Sequence, residues 1–186
     1  MTADSAARTL TPLAEILADY RPRTDAEAAD VDRARHLAAG EDPWSRAAPL
    51  HVTGSALVIH PASRRVLLRW HLRLQAWLQV GGHADPGEVE PLAVALREAR
   101  EETGLTDLVP WPDTAPVHVI IVPVAASPAE PAHEHLDVRF VLATDHPDSI
   151  RPEDPAAALR WLSVEEALAT TEPNVGETLA RVTWPG

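Results

Sequence analysis

Residues 81–105 read Gly-Gly-His-Ala-Asp-Pro-Gly-Glu-Val-Glu-Pro-Leu-Ala-Val-Ala-Leu-Arg-Glu-Ala-Arg-Glu-Glu-Thr-Gly-Leu. Two glycines lead to a Pro86-Gly87 turn, and then to a segment that carries Arg97, Glu98, Glu101 and Glu102 and stops at Gly104. Pro91 lacks an amide hydrogen and would clash inside a helix, so the helix is expected to begin near Glu90–Pro91. Gly104 suits the left-handed residue that closes it. At about 100° per residue, Leu92, Leu96, Ala99 and Thr103 share one stripe, with Ala95 at its edge. Glu98, Glu101 and Glu102 fall on the adjacent stripe, and Arg97 stands four residues before Glu101, within reach of an ion pair. Arg-Glu-Ala-Arg-Glu-Glu on its own reads as a salt-bridged surface helix. The glycines, the turn and the helix stop around it favour a site instead.

The stretch resembles a signature of diphosphate hydrolases, and the resemblance implies diphosphate chemistry. A diphosphate resists attack by water because its own negative charge repels the nucleophile. Hard oxygen ligands can hold a divalent cation that neutralises the charge and activates water. The stretch resembles the Nudix box of MutT-like hydrolases, G-x5-E-x7-R-E-U-x-E-E-x-G-U with U apolar. Gly82 and Glu88 fit its first spacing and Arg97 through Leu105 fit its second half, but eight residues, not seven, separate Glu88 from Arg97.

The resemblance implies an α/β (α+β) fold, an α/β/α sandwich around a mixed sheet. It implies Mg²⁺, with Mn²⁺ as a substitute, held by Glu98, Glu101 and Glu102, with the Gly82 carbonyl completing the shell. Glu98, Glu101 and Glu102 would also be the catalytic carboxylates, braced by Arg97 and Glu88. The extra residue is expected in the loop before the helix, so that Glu88 must reach from a longer loop. Family members often recruit an acidic residue from beyond the box, and Glu134 and Asp137 are the candidates here. The implied substrate is a nucleoside diphosphate derivative, a nucleoside triphosphate or another diphosphate. The proline typical of ADP-ribose members would fall near Ile120, and Pro123 is slightly late. A non-catalytic nucleotide-binding sensor on the same scaffold is the alternative, although every carboxylate of the second half is present.

Composition narrows the chemistry. The 186 residues contain no cysteine, which removes disulfides, thiolate zinc sites and a cysteine nucleophile. It also counts against the isopentenyl diphosphate isomerase branch of the resembled fold. All 16 basic residues are arginine, so neither a Schiff-base lysine nor a Walker-type phosphate loop is available. The net charge of −12 repels nucleic-acid duplexes and anionic membranes at long range. The partner expected is therefore a small molecule, and a homodimer is compatible with the sequence. Met1 to Leu10 show no apolar signal region and no later run approaches transmembrane length, so a soluble cytoplasmic protein is expected.

Outward from the box, Thr11-Pro12 reads as a cap before a helix with Leu13, Ile16, Leu17 and Tyr20 at helical spacing. Thr24 and Glu27 form a capping-box pattern for a second helix, ended by Gly40. Residues 1–50 are thus a helical extension and connector, and 51–186 the Nudix hydrolase domain. Strands are expected at 51–60, 64–71, 77–80, 117–126 and 135–144, with 105–109 extended. Ser163 and Glu166 cap a further helix, and a last one follows Pro173.

His133 to Phe140 form a second cluster. In an extended chain His135, Asp137 and Arg139 share one face, and Leu136, Val138 and Phe140 the other. The polar face reads as solvated, as a substrate site in the cleft, or as a separate His/Asp transition-metal site. In the cleft reading His135, Asp137 and Arg139 bind substrate and their face looks toward the carboxylate helix. Arg69, just before the box, is a further phosphate-binding candidate, with Arg73 beside it, and Trp70 can stack on a base.

Overall fold

The computed structural model describes residues 11–128 and 130–184, so the reading of Met1–Leu10 lies outside the described residues. Helices α1 (Pro12–Asp19) and α2 (Asp25–Ala38) precede strand β1 (Leu50–His60). Strands β2 (Arg65–His71), β3 (Ala76–Leu78) and β4 (Val80–His83) follow, then helix α3 (Pro91–Thr103). Strands β5 (Val109–Pro110), β6 (His118–Val124), β7 (His133–Ala143) and β8 (Leu159–Ser163) come next, with helices α4 (Val164–Thr170) and α5 (Pro173–Leu179) last.

The sheet is mixed. β1 runs parallel to β7 from Leu50↔Glu134 to Ile59↔Ala143 and is antiparallel to β4 and β2. β6 and β5 pair antiparallel to β7, while β3 and β8 pair with β2. The central pair is covered on both sides; one face is apolar throughout, and the other is apolar in its later half, after the buried polar residues His51, Thr53, Ser55, Asp137 and Arg139. Val52, Ala56 and Val58 of β1 and Leu136, Val138, Phe140 and Leu142 of β7 share a core with α1, α2 and α3. Leu57, Ile59, Val141 and Ala143 face the opposite core, built with Ala167 of α4 and Val175 and Leu179 of α5. The expected sandwich is therefore present, with the apolar face of β7 turned inward.

Local differences from the sequence reading have packing causes. The buried side of α3 is Val94, Ala95, Ala99 and Thr103, whereas Leu92 and Leu96 sit at its flanks. Small residues occupy the contact because α3 lies directly on β1, where a Cβ added to Gly54 would stand 2.6 Å from the Pro91 carbonyl oxygen. Gly81 and Gly82, read as a loop, are inside β4, paired with Ser55 and Gly54. Of the extended segment at 105–109, only Val109 enters a strand. β8 went unread, because it is only five residues long and its apolar–polar alternation breaks at Trp161-Leu162.

Helices α1 and α2 are locked onto the sheet by a buried ionic group. Thr24 caps α2 as its spacing indicates, accepting from the Glu27 amide, but the Glu27 carboxylate turns to the Arg23 amide, Tyr20 and Arg181. The Arg181 guanidinium approaches Glu27 at 2.5 Å, with side chains 7% and 3% exposed. Burial pushes the Glu27 acid up, and hydrogen bonds from Arg181 and Tyr20 outweigh this and bring it down to about 2. Burial, with Glu27 beside it, pushes the Tyr20 phenol up to about 12. Tyr20 Oη also accepts from the Val119 amide, and Asp30 accepts from the Ile121 amide, so the helices cap the otherwise free edge groups of β6.

Replacing Arg181 with Met strands a buried carboxylate and should cost about 3–5 kcal/mol in chemical denaturation. Glu27 titrates lower when folded than when unfolded, so its contribution is full above about pH 4.5 and is lost as pH falls toward about 2. The stability gap between wild type and Glu27→Gln should accordingly shrink over that interval. Phe140→Ala, emptying a fully buried site, should cost about 3–5 kcal/mol.

Candidate active site

The site is assembled where β4 passes the carboxylate face of α3. A Cβ on Gly82 would stand 2.6 Å from a Glu98 carboxylate oxygen, so only glycine leaves room for that side chain against the strand. The Gly81 amide donates to Glu102 Oε2 at 3.1 Å, and Arg69 Nη1 of β2 meets Glu102 Oε1 at 3.1 Å. Burial pushes the Glu102 acid up to about 7, against the opposing pull of Arg69 and the Gly81 amide. Burial also raises Glu98, with Arg97 opposing. A pair of carboxylates one turn apart, half-stripped of water, is poised to take up positive charge.

Arg97 organises the remainder. Its Nη1 donates to Glu98 Oε1 and Glu101 Oε2, both at 2.9 Å, and its Nη2 donates to the His83 carbonyl at 2.8 Å and to Glu88 Oε2 at 2.9 Å. Arg97 Nε donates to both Glu88 oxygens, at 3.1 and 3.2 Å. The longer loop therefore does not unseat Glu88. Its Oε2 also accepts from the Asp85 amide at 2.8 Å, and the Glu88 amide donates to the Asp85 carbonyl at 2.9 Å, a turn that seats Glu88 from its N-terminal side, while the extra residue lies on the other side, between Glu88 and Arg97. Hydrogen bonds from Arg97 hold the Glu88 acid below its usual range.

The donor set fits a hard divalent cation. Glu98, Glu102 and half-exposed Glu101 offer only oxygen, with the Gly82 backbone against Glu98. Arg69 Nε is buried beside Glu102 with no hydrogen-bond partner among the described residues, an unspent donor at the edge of the carboxylates. Sequence reasoning missed Glu153, whose charge is near enough to raise Glu102. It lies in an irregular proline-containing segment, and nothing in its local pattern marks it.

The second polar cluster lies elsewhere. Because Leu136, Val138 and Phe140 face α3, the face with His135, Asp137 and Arg139 looks away from the carboxylate helix. Arg139 is 2% exposed. It donates through Nε to Asp137 at 2.7 Å, through Nη1 to the Asn174 carbonyl and Thr178, and through Nη2 to Asn174 Oδ1. Thr53, Ser55 and Gln79 donate to Asp137 as well. The pair thus clamps α5 to the central strands, and its polar groups are spent within the chain. Glu134 pairs with Arg33 of α2 at 2.5 Å, Arg73 with Glu130 at 3.6 Å, and Trp70 packs edge-on against Trp77. His118 Nδ1 lies 2.9 Å from Thr178 Oγ1. His135 joins His51, His83 and His133 in a group of stacked and edge-on rings. Burial brings His83 and His135 down to about 4 and lowers His51, so these rings are neutral near pH 7.

A carboxylate helix braced through one arginine to a glycine strand, on a mixed sheet between helices, defines a Nudix architecture. Residues 49–182 match the NUDIX domain model, well over half the chain, and the protein belongs to the Nudix family. No curated protein matches it significantly. Among solved structures it resembles a NUDIX-family hydrolase from Clostridium perfringens, with 24% identity over 70% of this chain and 96% of that one and a TM-score of 0.55. The E. coli dihydroneopterin triphosphate pyrophosphohydrolase gives 20% identity, 72% and 94% coverage and a TM-score of 0.54. The NUDIX domain of Shewanella oneidensis NrtR, solved with ADP ribose, gives 14% identity, 90% and 94% coverage and a TM-score of 0.51. At these identities the likeness is one of fold. Among the described residues no helix is long and apolar enough to cross a membrane.

Gly82→Ala and Gly54→Ala should separate site from scaffold. The first pushes on the movable end of Glu98 and should weaken Mn²⁺ binding while leaving the melting temperature nearly unchanged. The second pushes on helix backbone and should lower the melting temperature by several degrees, about 1–3 kcal/mol of overpacking.

Proposed function

We propose that the chain is a divalent-metal-dependent Nudix pyrophosphohydrolase that cleaves a diphosphate bond in a nucleoside diphosphate derivative or a nucleoside triphosphate. The observation that carries this reading is the convergence of Glu98 and Glu102 on Gly81–Gly82 with Arg97 bracing Glu88, Glu98 and Glu101. Family membership supports it. The fold neighbours solved with ADP ribose, or named for dihydroneopterin triphosphate, both concern phosphate-rich small molecules, which supports the substrate class.

Glu98, Glu101 and Glu102, with the Gly82 carbonyl, would hold Mg²⁺ or Mn²⁺. The bound cation would offset phosphate charge and lower the pKa of water. The chain's own part begins with position. Arg97 fixes the carboxylates before substrate arrives, so little reorganisation is needed at the moment of reaction. Arg69 of β2 holds Glu102 in place beside the Gly81 amide. Water adds to one phosphorus, a carboxylate of the group accepts its proton, and the bond from that phosphorus to the bridging oxygen breaks. The second phosphate leaves with the bridging oxygen.

Turnover of a panel of nucleoside triphosphates, nucleotide sugars, ADP-ribose and dinucleoside polyphosphates with Mg²⁺ tests the proposal. Glu102→Gln keeps the size of the side chain and should lower turnover about a hundredfold or more, by analogy with loss of a major electrostatic stabiliser, with the fold retained. Nucleotide binding without turnover by any metal-loaded sample would identify a sensor instead.

A further inference from the structure

The four-histidine group is not part of the carboxylate site. His51 comes from β1, His83 from β4, and His133 and His135 from β7, so three strands converge at one end of the sheet. His51 Nε2 stands 3.0 Å from His83 Nε2, and His133 Nε2 stands 3.1 Å from His135 Nε2. One ring nitrogen each from His51, His133 and His135 lies within 4.8 Å of the other two. Tetrahedral ligation at roughly 2.0–2.1 Å needs nitrogens about 3.3 Å apart, so these three must draw closer, and His83, beside His51, is the available fourth ligand.

The tautomers are set by backbone. His51 Nδ1 lies 3.0 Å from the Ala48 carbonyl and His133 Nδ1 lies 2.9 Å from the Pro131 carbonyl. A carbonyl can only accept, so both Nδ1 atoms carry the hydrogen and both Nε2 atoms carry a lone pair, which without an ion accepts from His83 Nε2 and His135 Nε2 respectively. A carbonyl behind each ring is how metal-binding histidines are oriented. A cavity of about 280 Å³, lined by Arg46, Ala48, His51, His83, Glu130 and His133 among others, opens onto the group and gives an ion a way in. Hydrogen bonding between rings accounts for the pairs taken separately. It does not account for four rings from three strands gathered in mutual ring contact.

We propose that His51, His83, His133 and His135 form a second metal site, selective for a borderline divalent transition metal of the zinc type and separate from the oxygen-rich carboxylate site. Neutral imidazoles favour zinc, cobalt or nickel over magnesium, because nitrogen donors suit softer ions. An ion there would cross-link β4 to the central parallel pair. His83 is the shared element, its ring in the histidine group and its carbonyl accepting from Arg97. The metal would thus fix the strand that carries Gly82.

The test uses full-length, tag-free protein stripped with chelator and titrated with Co²⁺ in the presence of excess Mg²⁺. One equivalent should develop the intense visible bands of four-coordinate cobalt, displaced by one equivalent of Zn²⁺. The His51→Gln/His133→Gln double variant should bind at least about tenfold more weakly. Glu98→Gln/Glu102→Gln should keep the bands, so failure of the hydrolase reading leaves this result intact. Absence of the bands from wild type overturns the proposal, as does their loss in the glutamate variant with retention in the histidine variant. Should the histidine variant not fold, zinc X-ray absorption on wild type decides: a nitrogen-dominated shell supports the site and an oxygen-dominated shell overturns it.

Discussion

The guanidinium of Arg97 is the contact on which the site depends. One planar fork, always charged, reaches a loop carboxylate at Glu88, two helix carboxylates at Glu98 and Glu101, and a strand carbonyl at His83. Loop, helix and strand are thereby fixed relative to one another through a single group. A lysine could supply the charge but not the planar set of directed donors. The glycines of β4 are the complementary constraint, since the arginine can hold Glu98 against the strand only if the strand has no side chain there.

Three ionic groups are used in two ways. Arg97 remains near solvent and gathers carboxylates whose charge another cation can share. Arg139–Asp137 and Arg181–Glu27 are sealed inside and hydrogen-bonded to completion, so they fix α5 and the N-terminal helices instead of meeting a ligand. Removing one partner of such a pair leaves an uncompensated buried charge, which makes it costly to break whatever the pair's net contribution. Glu102 lies between these cases, buried enough to be pushed up to about 7 yet paired only with Arg69 and one amide.

Much of this was legible from residue order. Pro91, Gly104 and the helical period located α3, and the caps at Thr11, Thr24 and Ser163 are all made. The alternation at Leu136, Val138 and Phe140 gave the buried face of β7. What periodicity cannot say is which layer that face meets. Both sides of the central pair are covered, so the direction of Asp137 and Arg139 depended on which strand edge and helix each face met. The extra residue before Arg97 was visible, but that Glu88 still meets the guanidinium was not, because it rests on side-chain reach. Meeting of His51 and His83 with His133 and His135 was equally hidden, since strand pairing and not sequence spacing brings them together.

The central claim is that the carboxylates gathered by Arg97 direct water onto a diphosphate. Hydrolysis in ¹⁸O-enriched water, followed by mass spectrometry of both products, tests it most directly. One ¹⁸O should enter a single phosphate product, label transfer should stop when divalent metal is chelated, and that transfer should collapse in Arg97→Leu with the fold preserved. Label transfer that persists at the wild-type rate in chelator, or in a folded Arg97→Leu protein, would contradict it.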